Sequence, residues 1–170
     1  AKAGIPIMPT ATFLAKVLEE GGPVGPEKVA IDITRMQRHF EKLVQLWQHA
    51  RKMGIKILVG TDAGNNDLTA YGQVHADELD IMVRYGGYTP LEAISAATRD
   101  NAFVLNLQGQ LGELKAGYLA DLIVLNRDPV ADISVLKAGR HLSHVIKDGR
   151  MIDIRDAHEG APLHLEEAHR

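Results

Sequence analysis

Cysteine is absent from the 170-residue chain, so disulfides and thiolate metal ligands are excluded and any metal ion would fall to histidine and carboxylate donors. A charge excess is missing too: 22 acidic residues face 19 basic ones, for a net charge of -3, with the signs interspersed. That balance forms no electrostatic footprint for nucleic acid or an anionic membrane surface, and neither is expected as a partner. No apolar run approaches the roughly 20 residues of a membrane span. The opening AKAGIPIMPT also lacks the long apolar core of a secretory signal peptide. A soluble, cytoplasmic protein is therefore expected, although Ala1 is not an initiator methionine, so the true N-terminus is not visible and a leader upstream stays open. What is present is an ordinary apolar fraction, 45%, which suits one globular domain or one domain with a small annex.

Along the chain, Ile5-Pro6-Ile7-Met8-Pro9 is an apolar run broken by prolines, as at the end of a buried strand. Thr10 is placed to cap a helix whose apolar residues are Phe13, Leu14, Val17 and Leu18, and Gly21-Gly22-Pro23 stops it. A long helix follows, lined by Met36, Phe40, Leu43, Val44, Trp47 and Ala50 and ended by Gly54. Ile55-Lys56-Ile57-Leu58-Val59 then reads as a short buried strand leading into Gly60-Thr61-Asp62-Ala63-Gly64. The order of helix, tight glycine, apolar strand and polar loop is that of a parallel βαβ sheet, which keeps its chemistry at the C-terminal ends of its strands.

A further helix is predicted over residues 75–85, with Leu79, Met82 and Val83 inward and Gly86-Gly87 as its stop. Thr89-Pro90-Leu91-Glu92 opens another by a capping box with proline at the first position, and residues 101–107 add one more short helix. From Gly109 the pattern changes to short strands at residues 111–114, 120–125 and 144–147. Asp148-Gly149 is a hairpin turn before Met151-Ile152. The closing residues, rich in His, Glu and Ala, read as a tail. No internal repeat is found.

Asp62 is the first candidate for chemistry. An acidic group just past a buried strand, between Gly60 and Gly64, is either a turn or cap aspartate or a carboxylate on a rigid strand end. In the second case it can ligate a divalent cation and take a proton from water. The flanking glycines, Gly64 among them, would let substrate or metal approach the backbone closely. His75, near the next helix start, can bond substrate, ligate metal or orient Asp62; the alternative is a histidine satisfied within a loop and helix junction. His39 and His49, ten residues apart on the long helix, do not share a ligand face and are read as surface. His141, His144, His158, His164 and His169 match no metal spacing.

The run Gly60-Thr61-Asp62-Ala63-Gly64 resembles the end of the eighth barrel strand in the amidohydrolase superfamily, especially its imidazolonepropionase and prolidase-like branch. The likeness continues through His75-Ala76-Asp77-Glu78-Leu79, similar to that branch's H-x-x-E-L helix, and through Thr89-Pro90-Leu91-Glu92-Ala93-Ile94 with Ala96-Ala97-Thr98. Leu111-Gly112-Glu113-Leu114, Gly117, Ala120-Asp121-Leu122-Ile123-Val124, Asp128-Pro129 and Val145-Ile146-Lys147-Asp148-Gly149 resemble the return into its β-sandwich annex. Each piece is short; their order and spacing make the likeness specific.

The resemblance implies an α/β fold, the C-terminal part of a (β/α)8 barrel with its last two strands and helices, followed by part of a small β-sandwich. Residues 1–108 would be the barrel segment, with strands seven and eight, 109–155 the sandwich portion and 156–170 a tail. It implies that Asp62 is both a metal ligand and the general base and that the complete enzyme carries a divalent metal, zinc first, as one or two ions; His75 and Gly64 are expected from their positions to meet substrate. The activity implied is hydrolysis of a C–N bond in an amide, cyclic amide or dipeptide-like small molecule. The family's H-x-H pair from the first strand, its lysine or glutamate from the fourth and its histidines from the fifth and sixth have no counterpart here, so the chain is expected to start after the sixth strand. Two barrel strands cannot close a barrel. The missing N-terminal part of the same enzyme, another chain, or copies of this one in a homo-oligomer would have to cover them. The rival reading is a non-catalytic fragment or ligand-depleted relative serving as an interaction or assembly module; a third is an unrelated α/β binding domain.

Overall fold

The two apolar runs meet as a parallel pair in the computed structural model of the chain, which describes residues 4–20, 32–64, 67–69, 71–72 and 74–154. Ile7 bridges Ile57 in parallel. The Ile7 N–H donates to the Lys56 carbonyl and the Leu58 N–H to the Ile7 carbonyl, both at 2.9 Å. The expected strands thus shrink to one bridge, because Pro9, whose nitrogen falls on the same edge as that of Ile7, has no N–H to extend the ladder. Ile57, Leu58 and Val59 are nonetheless buried.

Two helices connect the paired segments. Helix α1 spans Thr12–Glu20 and buries Thr12, Ala15 and Val17. Its start corrects the expectation for Thr10, whose hydroxyl turns back to the Met8 carbonyl at 3.3 Å. The first amides of α1 are instead met by Glu78, from far along the chain. The stop at Gly21-Gly22-Pro23 lies outside the described residues. Helix α2, Ile33–Lys52, begins on Asp32, whose side chain accepts the Arg35 N–H, and buries Phe40, Trp47 and Ala50. Gly54 closes it with φ +71, a left-handed turn that glycine makes without Cβ strain. The Ile55 N–H returns to the Ala50 carbonyl at 3.0 Å, so the chain reverses directly from α2 into the second paired segment.

Helix α3, His75–Arg84, buries Glu78, Leu79, Asp80, Ile81 and Met82. Helix α4, Pro90–Ser95, starts with the capping box as predicted: Thr89 accepts the Glu92 N–H while the Glu92 carboxylate accepts the Thr89 N–H. It widens into a π-helical turn at Ala96–Asp100 and tightens again at Asn101–Phe103.

Beyond Gly109, the expected strand at residues 111–114 is absent. Gly112 takes φ +88 there and Leu114 is 89% exposed, so this apolar spacing belongs to a bend. The other strands form. Strand β1 (Leu122–Leu125) pairs antiparallel with β2 (Leu142–Lys147), and β2 with β3 (Arg150–Ile152). Asp148 and Gly149, at φ 50 and 74, make the tight turn between β2 and β3. Ile133, in the connection between β1 and β2, joins the apolar cluster of Ala11, Phe40, Trp47, Ile57, Leu79 and Met82. The described chain is therefore a mixed α/β structure with one small antiparallel sheet; the tail at 156–170 lies outside it.

Candidate functional site

Asp62 follows the buried residues Ile57, Leu58, Val59 and Thr61 and is itself exposed. Its backbone is left-handed, with φ 49, a region that non-glycine residues enter at a cost of about 1–2 kcal/mol. The chain is held on either side. Before Asp62, the Asn101 carboxamide bonds both main-chain groups of Val59: its Oδ1 accepts the N–H at 3.1 Å and its Nδ2 donates to the carbonyl at 2.9 Å. After Asp62, the Gly64 N–H donates to the Thr69 carbonyl at 2.7 Å.

Glycine is needed at 64 for φ +103, and a Cβ there would fall 2.2 Å from Cζ of Tyr71. The close neighbour of Gly64 is therefore the Tyr71 ring. At Gly60 a Cβ would overlap Met8 Sδ at 2.0 Å, which sets the ends of the two paired segments against each other.

His75 is exposed at the first position of α3. Among the described residues, Asp62 and His75 share no hydrogen bond or ion pair, so the structure does not join the two sequence candidates directly. His39, His49 and His144 are also exposed, and His141 bonds Asn126; His158, His164 and His169 lie outside the described residues.

Two residues to which the sequence reading gave no role of their own hold the segments around Asp62, although Glu78 is the glutamate of the H-x-x-E-L likeness. One is Asn101. The other is Glu78, 1% exposed, which accepts the Ala11 N–H at 3.0 Å, the Thr12 N–H at 2.8 Å and the Thr12 hydroxyl at 2.5 Å. Burial pushes its carboxyl above the ordinary 4.5, while the three donors pull the other way. It fixes the turn after the first paired segment to the helix that follows the Asp62 loop. Neither role carries a sequence signal, since each depends on a partner more than forty residues away.

Around α3 an ionic chain runs from α1 to the β1–β2 connection. Lys16 pairs with Asp77 at 3.1 Å, Lys137 with Asp77 at 3.3 Å and Asp80 at 2.6 Å, and Arg84 with Asp80 at 2.9 Å and Glu19 at 2.8 Å. These six charges, three of each sign, pair with one another. Among the described residues no group of three or more His, Cys, Asp or Glu side chains is arranged to hold a metal ion. A catalytic zinc site takes three protein ligands, so these donors do not fit a complete centre. No described helix is long and apolar enough to cross a membrane.

With the geometry established, comparison with known proteins shows the class. The model of the amidohydrolase family matches residues 3–152, and the chain belongs to that family. It is 38% identical to the ochratoxinase of Aspergillus niger over 118 residues, which is 69% of this chain and 23% of that protein. It is 41% identical to the imidazolonepropionase of Rubrobacter xylanophilus over 66 residues, 39% of this chain and 16% of that enzyme. Among solved structures, A. niger ochratoxinase superposes with a TM-score of 0.71 at 33% identity, covering 88% of this chain and 32% of that one. A prolidase complexed with N-methylphosphonate-L-proline gives 0.72 at 25% identity, covering 89% and 36%. The chain spans about a quarter of the length of the ochratoxinase that it matches.

Proposed function

We propose that this chain supplies the general base, and part of the wall around it, to a metal-dependent hydrolase of C–N bonds in amides, cyclic amides or dipeptide-like molecules. The observation that supports this most is the exposed carboxylate of Asp62, held left-handed beyond a buried parallel segment between two hydrogen-bonded anchors. The named relatives add to it: an ochratoxinase, imidazolonepropionases and a prolidase fall within that substrate class. In this reading residues 1–108 are the last two strands and helices of a (β/α)8 barrel. Residues 109–155 are part of its sandwich annex. The remaining strands come from the rest of the same polypeptide, in a homo-oligomer. A divalent ion, zinc first, belongs to the reading, with Asp62 giving it one carboxylate. The described residues supply no further ligands, so the steps that follow are those of the side chains.

Asp62 takes a proton from the water that attacks the carbonyl carbon. The C–N bond then breaks, and the protonated Asp62 returns that proton to the leaving nitrogen. His75, exposed at the head of α3, is placed to hydrogen-bond the substrate. Gly64 admits it where the Tyr71 ring, itself 80% exposed, can swing aside.

The test is Asp62→Asn in the complete polypeptide, which keeps the shape and removes the base. Hydrolysis of ochratoxin, imidazolone propionate and a set of Xaa-Pro dipeptides is measured beside divalent-metal content. Turnover is expected to fall by at least about 100-fold, the range of general-base contributions. Turnover near that of the unaltered enzyme removes Asp62 from the mechanism.

A further inference from the structure

In a parallel strand the N–H and C=O of one residue point to one edge and those of the next residue to the other. Here Lys56 and Leu58 face the Ile7 segment, so Val59 faces the opposite edge, and there the hydrogen-bonding place is taken by a side chain. The carboxamide of Asn101 offers the same donor and acceptor pair as a peptide group, and it engages both polar atoms of Val59 at 3.1 and 2.9 Å. Among the described residues, Gly60, Thr61 and Asp62 make no main-chain hydrogen bond; the next anchor is Gly64 N–H on Thr69 O. Asn101 is therefore the last tie on the chain before a left-handed aspartate, φ 49.

The helix that presents Asn101 is unusual at that point. The α-helix gives way to a π turn at Ala96–Asp100 immediately before it. Such turns are rare and often sit at functional sites. Here the wider turn carries Asn101 to Val59, and Lys56 reaches Asp100 beside it at 3.5 Å.

We propose that Asn101 is a positioning residue for Asp62: by standing in for a neighbouring strand at Val59, it holds the backbone that presents the Asp62 carboxylate in its left-handed conformation. The proposal rests on Asp62 being the base. With Asn101 cut back, the stretch from Val59 to Asp62 is free to relax to negative φ, and the carboxylate moves. A misplacement of the order of 1 Å can cost about 100-fold in rate, without contact between Asn101 and substrate.

The experiment uses the complete polypeptide with Asn101→Ala, Asn101→Asp and, as control, Asp62→Asn. The readouts are kcat and KM on whichever of the three substrates above is turned over, retained divalent metal, melting temperature, and a crystal structure of the Asn101 variant. Asn101→Ala is expected to lower kcat by about 100-fold with KM within about twofold. Asn101→Asp, which keeps the acceptor for the Val59 N–H but loses the donor to its carbonyl, should fall between the two. The crystal structure should show Asp62 out of the left-handed region. If Asn101→Ala does not fold, Asn101→Asp is read by the same criteria. A variant that melts earlier yet keeps its kcat, or one whose Asp62 stays near its present φ, overturns the proposal. If instead Asp62→Asn is fully active, the reading of Asp62 as base fails, and the crystal structure still decides whether Asn101 places it.

Discussion

Glu78 shows how one side chain can govern a loop it does not belong to. Its carboxylate is buried on α3 and receives three donors from the start of α1, yet desolvation outweighs them and its pKa is raised above 4.5. The folded protein therefore holds the Glu78 proton more tightly than the unfolded chain, and in the window from 4.5 upward to the folded pKa the unfolded state binds fewer protons. By linkage, stability is fully present below 4.5 and declines as pH rises through that window. Chemical denaturation of the complete protein at closely spaced pH values above 4.5 should show this decline, and Glu78→Gln, which cannot ionise, should flatten it. An identical slope in the variant would show that Glu78 does not set it. At this scale the place of Asp62, exposed just past a buried apolar run, was legible because its signal is local, an acid directly after that run and between glycines; its role as base is the proposal made above. Thr10 was misread as a cap because the acceptor that meets the amides of α1 lies 66 residues from Thr12 in sequence, and Asn101 was overlooked because Val59 is 42 residues away from it.

Among elements, the α4 capping box was readable because Thr89 and Glu92 satisfy each other within one turn. The long helix, the α3 pattern and the β2–β3 hairpin were legible for the same reason, since each is a periodicity or turn signal complete in itself. The spurious strand at residues 111–114 fails for a tertiary reason: the chain there crosses the π turn at close range. A Cβ on Gly112 would meet Thr98 O at 2.8 Å and Arg99 Cα and N at 2.9 Å, with φ +88. These are main-chain atoms and cannot step aside. Gly64 is also left-handed, but its obstacle is the outer end of the exposed Tyr71 ring, which can move. Gly64→Ala should therefore cost the backbone strain alone, about 1–2 kcal/mol. Gly112→Ala should add an overpacking cost of about 1–3 kcal/mol. Equilibrium unfolding of the two variants checks the order, and a Gly64 variant destabilised as much as the Gly112 variant would contradict it.

For the molecule as a whole, the apolar surface is incompletely covered. Ile123, Val124, Met151 and Ile152 on the small sheet are exposed, as are Ile5, Met8, Leu114 and Leu119. By the register, Ile123 and Ile152 share one face of the sheet and Val124 and Met151 the other, so both faces carry uncovered apolar side chains, and apolar surface of this kind marks contact surfaces. The 170-residue polypeptide alone, 18.6 kDa, is expected to associate at micromolar concentration. Light scattering across a dilution series should give a mass above the monomer's that falls when Ile123 and Met151 are replaced by glutamate. A monomer at every concentration would show that the exposed residues need no partner.

Helix α2 carries one more consequence. It is 20 residues long, about 30 Å, whereas the five residues 55–59 that it feeds extend about 16 Å. The surplus lies at its beginning: no residue from Ile33 to His39 is buried, and the first buried side chain is Phe40. Because the chain reverses at Gly54, the beginning of the helix points the same way as the Asp62 end of the segment. The exposed start of the helix, with Arg35, Arg38 and His39, therefore stands toward the Asp62 end of the segment rather than toward its beginning, and puts positive charge on the side where the Asp62 carboxylate is presented.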